Sequence, residues 1–124
     1  MWSVVNKTKQ RIPHWPWTAI ATAILGEKFE GTLVFTPATL AKKLNHRYRH
    51  KDYVPNVLSF PLSKKAGDIF ITPTVAKREA KDFDHTYRQH LLFLFIHGLL
   101  HLKGLDHGST MERKEREFFK LFLR

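Results

Sequence analysis

The stretch His90-Leu-Leu-Phe-Leu-Phe-Ile-His97-Gly-Leu-Leu-His101-Leu-Lys-Gly104-Leu-Asp106-His107 decides how this chain folds. Leu91–Ile96 is apolar at every position, so no side of it can face water. It reads as a buried central helix beginning near Asp84. Gly104 is placed to end that helix, because glycine takes the left-handed conformation after a helix terminus without a Cβ clash. His97 and His101 then stand four apart on one face, with Cβ atoms about 5–6 Å apart. The break at Gly104 lets His107 turn back toward the same point. A single histidine at the end of an apolar helix is usually only a partly buried side chain, and a pair four apart arises often by accident. Three in HxxxHxxGxxH register, with glycine where the helix must break, form a far more specific pattern for metal. Three imidazoles leave one tetrahedral corner open, the arrangement of a catalytic rather than a closed structural zinc site, and such zinc acidifies bound water to about pKa 7. One Zn2+ per chain is expected, on His97, His101 and His107.

Outward from this helix the chain reads as short alternating elements. Trp2–Val5 is expected to open the fold as a strand, followed by a helix from about Trp15 to Phe29 that stops near Gly31. Thr32–Thr36 is a strand, and Pro37 starts a helix at its first position, with Leu40 and Leu44 on one face. Asn45–Pro55 reads as a polar, basic and aromatic loop. Val57–Phe60 is an edge strand closed by Pro61, and Ile69–Ile71 another strand, ended by Pro73. A short helix over Thr74–Ala80 precedes the histidine helix. A last helix, capped by Ser109 or Thr110, carries Met111, Glu115, Phe118, Phe119 and Leu121. Four strands with helices before, between and after them argue for an α+β fold in a single domain, residues 1–124.

The bulk properties fit that reading. The 124 residues suffice for one core, and 43% apolar content with 10 Phe, 3 Trp and 3 Tyr argues against disorder. Against 11 Asp and Glu stand 21 Lys and Arg, a formal charge of +10, and the basic residues are spread along the chain rather than gathered in a tail. A small domain so basic attracts polyanions, since neutralising phosphates releases their counterions. With no cysteine there are no disulfides and no thiolate ligands, so a metal must be held by histidine and carboxylate. A reducing cytoplasm is compatible with that. Lys7, Lys9 and Arg11 ahead of Trp15–Gly26 superficially resemble a secretory signal. Trp17, Ile20 and Ile24 at helical spacing favour a helix of the fold instead. No apolar run approaches the ~20 residues needed to cross a bilayer.

The histidine spacing also fits the long metzincin peptidase signature, with one difference. There a glutamate, the general base, follows the first histidine; here the residue is Gly98. A peptidase is therefore disfavoured, and a second alternative is a non-catalytic, zinc-stabilised module that binds RNA or the ribosome. A base for hydrolysis can come from Asp106 or from the substrate phosphate. Asp106 serves equally well as the residue that orients His107 or caps the turn.

On these residues the chain resembles the YbeY family of single-domain, zinc-dependent endoribonucleases of ribosomal RNA maturation. His97–His107 matches that family's H-G-x-L-H-L-x-G-[YHF]-D-H, apart from Leu105 at the usually aromatic position. Leu44-Asn-His-Arg-Tyr48-Arg49 resembles its L-N-x-x-Y-R, Asn56-Val-Leu-Ser59-Phe-Pro61 its N-V-L-S-F-P, and Gly67-Asp68-Ile69 its G-D-I. These matches cover about half of the chain, in the family's order. Leu62–Ala66 stands where the family has a longer acidic insertion. The resemblance implies a mixed sheet of about four strands flanked by helices, with the histidine helix central. It implies zinc on His97, His101 and His107, and Arg49 facing RNA in the same cleft, where a guanidinium can grip phosphate oxygens bidentately. It further implies a ribosomal RNA precursor as substrate, the ribosome or small-subunit proteins as partners, no membrane, and a cytoplasmic location. Tyr48 and Ser59 are further candidates for RNA contact. Tyr48 and Tyr53 can stack on unpaired bases, though half-buried packing explains both, and Ser59 suits a turn equally well. Asp68 reads as structural, and His46, His50, His85 and His90 as ordinary surface or helix-end residues.

Overall fold

The computed structural model describes residues 1–123. Its elements are strand β1 (Trp2–Asn6), helix α1 (Trp17–Leu25), β2 (Glu30–Phe35), α2 (Ala38–Arg49), β3 (Val57–Ser63), β4 (Ala66–Ile71), α3 (Pro73–Glu79), a 3-10 turn (Ala80–Phe83), α4 (Tyr87–Leu102) and α5 (Ser109–Phe122). The sheet has the order β1-β2-β4-β3. β1 and β4 run parallel to β2, and β3 pairs antiparallel with β4 at the edge, so the sheet is mixed. This is the expected α+β architecture.

Helix α4 is the centre of the molecule. Leu91, Leu92, Leu94, Phe95, Ile96, Leu99 and Leu100 are buried on all its sides, and it packs against β3, β4, α1, α3 and α5. Its start is set by a capping box: Thr86 Oγ1 accepts from Gln89 N at 3.1 Å, and Gln89 Oε1 accepts from Thr86 N at 2.9 Å. The helix therefore begins later than expected near Asp84, which sits in the left-handed region (φ 55°) and cannot continue a helix. At the other end Gly104 has φ 104°. Its N–H donates to His101 O at 2.9 Å, and Leu105 N–H donates to Leu100 O at 3.0 Å. This is a Schellman closure, and it reverses the chain toward the helix that it ends.

Close packing onto the sheet comes from small residues. Alternate β4 residues Gly67, Ile69 and Ile71 are buried. A Cβ on Gly67 would meet the Leu102 side chain at 2.8 Å, and one on Gly98 would meet Ile69 Cγ2 at 3.1 Å and Ser59 Oγ at 3.2 Å. Ser59 is paired with Ile69 across β3 and β4, so both side chains point at α4. At the far edge Trp2 lies over Gly31, stacks on Phe29 and meets Phe95 edge-on.

Several boundaries differ from the sequence expectation. α1 spans Trp17–Leu25, not Trp15–Phe29, because Gly26 at φ 91° ends it early. Trp15 lies outside the helix yet is buried, its indole N–H donating to Arg88 O at 2.9 Å under the Arg88 guanidinium. Pro37 is the residue before α2 rather than its first, and α2 continues through Asn45–Arg49, which had read as loop. Pro61 does not close β3: as an edge-strand residue it needs no outward ladder bond, and the strand runs through it to a bulge between Pro61 and Ser63. Gly108, not Ser109 or Thr110, precedes α5.

Candidate metal centre

Two segments converge on the site. α4 presents His97 and His101 from successive turns, and the reversal at Gly104 delivers His107 from the loop before α5. Ring centroids lie 4.7 Å apart for His97–His101, 5.0 Å for His101–His107 and 5.3 Å for His97–His107. His97 Nε2 and His101 Nε2 are 3.1 Å apart, and one ligand nitrogen from each of the three rings lies within 4.8 Å of the others. Nitrogens about 2.0–2.1 Å from one tetrahedral ion stand roughly 3.3 Å from each other. The α4 pair already has that spacing, and His107 stands within 4.8 Å of both. The donor set fits a metal ion.

The electrostatics suit neutral ligands. The pKa of His101 is lowered, first by burial, then by the adjacent His97 and His107 rings, while the Leu105 backbone and Asp106 act in the opposite sense. His97 is orientated by Glu115 of α5, a buried carboxylate whose Oε2 lies 3.0 Å from His97 Nδ1. A carboxylate can only accept, so His97 donates from Nδ1 and holds the Nε2 lone pair toward His101, where a metal ion would be held. The sequence reading placed Glu115 on the last helix but gave it no role. Its helical position opposite the histidines was not legible without the loop geometry, although a lone acid on the apolar stripe of α5 is a usable signal.

The metal triad opens onto a cleft of about 860 Å³. Its walls include Arg49 from the end of α2, Ser59 of the edge strand β3, and Asp106 and Glu112 beyond the triad. The structure thus brings Arg49, Ser59 and Asp106 together with the three histidines. Arg49 is exposed. Among the described residues its one hydrogen-bond partner is weak, Asn45 Oδ1 at 3.4 Å, and Asn45 is itself fully buried with its amide donating to Tyr53 O at 2.9 Å. The guanidinium is positioned yet free to take another acceptor. Ser59 donates its hydroxyl to Gly98 O at 2.9 Å, so that hydroxyl ties strand to helix. Tyr48 lies off the cleft lining. It is 57% exposed and edge-on to Phe60, with Arg47 over its ring, whereas Tyr53 does line the cleft.

Gly98 bears on the peptidase alternative. A Cβ there would press on Ile69 at 3.1 Å and on Ser59 Oγ at 3.2 Å, so a glutamate side chain would be crowded against the sheet. Among the described residues the metal cluster has three members and no fourth protein ligand.

His90 is not an ordinary helix-end residue. It is fully buried, with Nε2 2.8 Å from Glu79 Oε1 and Nδ1 3.0 Å from His85 Nδ1; Glu79 also accepts from Asn56 Nδ2 at 2.9 Å. Since the carboxylate accepts, His90 Nε2 carries the hydrogen of that bond, which leaves Nδ1 to face His85. The pKa of His85 is lowered, by burial and then by His90, with Asp84 opposing. This network ties α3, α4 and the start of β3 together behind the cleft.

Comparison with known proteins agrees with this geometry. The family described as Endoribonuclease YbeY matches residues 4–121. A relative of that name from Mesoplasma florum is 32% identical, covering 93% of this chain and 78% of its own length. One from Polynucleobacter asymbioticus is 40% identical over 86% of this chain and 70% of its own. One from Bdellovibrio bacteriovorus is 39% identical over 94% and 86%. The solution structure of a Thermotoga maritima protein superposes with a TM-score of 0.66 at 23% identity, covering 97% of this chain and 87% of that one, and shares its fold.

Proposed function

The chain belongs to the YbeY endoribonuclease family, and from that premise we propose that it is a zinc-dependent endoribonuclease that hydrolyses phosphodiester bonds in single-stranded RNA. One observation carries the reading: His97, His101 and His107 face one point in a cleft that also holds the exposed Arg49 guanidinium, bonded only weakly to Asn45 Oδ1 at 3.4 Å. In this reading a single domain, residues 1–124, holds one zinc ion. Three imidazoles without a thiolate favour zinc among the common metals. Bound there, the ion supplies Lewis-acid polarisation of a phosphate oxygen and of water.

The remaining chemistry falls to the chain's own residues. Arg49 binds the scissile phosphate through paired N–H donors and stabilises the charge that grows on its oxygens. Glu115 holds His97 in the tautomer that leaves Nε2 free. Asp106, beside His107 on the cleft wall, is positioned to take a proton from the attacking water or to steady His107. The exposed α2 cations Lys42, Lys43 and Arg47 contribute to the formal charge of +10 that attracts RNA. Ser59 and Tyr48 are secondary contacts in this scheme, Tyr48 through its exposed ring. The substrate is a ribosomal RNA precursor, met on the ribosome or its small-subunit proteins in the cytoplasm. Among the described residues no helix is long and apolar enough to cross a membrane.

The test is to incubate zinc-loaded wild type and His101→Ala with single-stranded RNA and with an unfolded protein. RNA cleavage by the wild type alone, with the protein left intact, is the expected result. Equal RNA cleavage by the variant refutes the assignment.

A further inference from the structure

Phe83 is a large apolar ring, 49% exposed, and it lines the wall of the same cleft as the metal triad. Its open face is therefore available to a molecule bound in that cleft. It is also held still. It ends the 3-10 turn just before Asp84, whose left-handed backbone (φ 55°) fixes the reversal into α4. The ring packs on His90 at 4.8 Å and Phe93 at 5.5 Å and stacks on His85 at 5.8 Å. His90 is locked in turn by Glu79. Phe93 in turn stacks on His97 at 6.5 Å, linking Phe83 to the histidine triad.

From this arrangement we infer that Phe83 is the platform of a nucleobase subsite, on which an unpaired base next to the scissile phosphate stacks. The inference rests on the RNA reading above and adds how unpaired strands are selected. A phosphate held by Arg49 and the metal triad leaves its neighbouring base within the cleft, where a rigid, half-open aromatic face is waiting. A base in a duplex has both faces covered by its neighbours and cannot use it, whereas a splayed base can. The occupant is a base rather than an apolar protein side chain because the cleft that holds the ring is also lined by the polar side chains of Arg49, the three histidines, Asp106 and Glu112. Stacking of this kind is sequence-tolerant, since every base has a π face.

The experiment uses zinc-loaded protein and a cleavage-resistant phosphorothioate single-stranded RNA with one 2-aminopurine, moved stepwise along the strand. Stacking quenches the fluorescence of that base. At one position the wild type is expected to quench it at saturation. Phe83→Ala and Phe83→Leu lose the quenching and bind on the order of ten-fold more weakly, while Phe83→Tyr keeps both. Phe83→Leu preserves apolar volume, so an unfolded alanine variant does not decide the outcome. Arg49→Ala weakens binding yet retains the quenching once saturated. If both the alanine and leucine variants quench as the wild type does, the subsite is wrong and the RNA reading stands. If the wild type fails to bind the RNA at all, both fall.

Discussion

Replacing Glu115 with leucine removes the carboxylate that accepts from His97 Nδ1 and leaves an apolar side chain at a site only 7% exposed. The contact is a 3.0 Å hydrogen bond to a charged acceptor between two largely buried groups. Such bonds contribute about 1.5–3 kcal/mol, which is roughly 10- to 150-fold in an equilibrium constant. Independently, removing the outer partner of a ligating histidine weakens metal affinity about 10–100-fold. Both routes lead to the same magnitude, a zinc affinity lowered at least ten-fold. Glu115→Gln keeps an acceptor oxygen for Nδ1–H and loses only the charge, so its loss is several times smaller. Competition for zinc against a chromophoric chelator at neutral pH measures both variants, and urea unfolding of the metal-free proteins separates ligand orientation from fold damage. Zinc affinity within two-fold of wild type in Glu115→Leu, with the fold intact, refutes the claim that this carboxylate sets the ligand geometry.

Other consequences follow from the packing and the charges. Gly98→Ala gains about 1 kcal/mol of helix propensity but forces its methyl onto Ile69 and Ser59, an overpacking cost of about 1–3 kcal/mol, so the urea midpoint falls. Gly98→Glu, which restores the peptidase motif in letters, buries an unpaired carboxylate, and it yields unfolded chain by circular dichroism without proteolytic activity. Thr86→Ala removes the capping box of α4 and costs about 1 kcal/mol in the same assay. In the metal-free protein His101, whose folded pKa lies below 6.5, refuses a proton that the unfolded chain accepts. Stability is therefore unaffected above that value and declines as pH falls from 6.5 through the folded pKa, a slope that His101→Gln flattens.

The histidine helix was legible because two independent patterns coincide in it. Continuous apolarity over Leu91–Ile96 demands burial, and a glycine at 104 both ends the helix and returns His107 to it. The mixed sheet followed from the family resemblance, while its strands followed from short β-branched and aromatic runs between proline and glycine stops. Where the reading slipped, tertiary context overrode local composition. Asn45–Arg49 looks like loop because it is polar and basic, yet buried Asn45 bonds to Tyr53 O and holds the last turn of α2, which is what sets Arg49 at the cleft. Pro61 reads as a strand stop, but an edge strand tolerates it. His90 reads as an ordinary helix-end residue in the sequence because its partners, Glu79 and His85, come from other elements and no spacing rule joins them. Glu115 and Phe83 were missed for the same reason: their significance depends on what lies across a helix interface or a cleft.

The most direct test of the metal-centred account is a titration of metal-free protein with zinc while the cleavage of an end-labelled single-stranded RNA is followed. Activity is predicted to rise in proportion to added zinc and level off at one ion per chain, with His107→Ala neither retaining the ion nor cutting the strand. Full cleavage before any metal is added, or undiminished cleavage by His107→Ala, would contradict it.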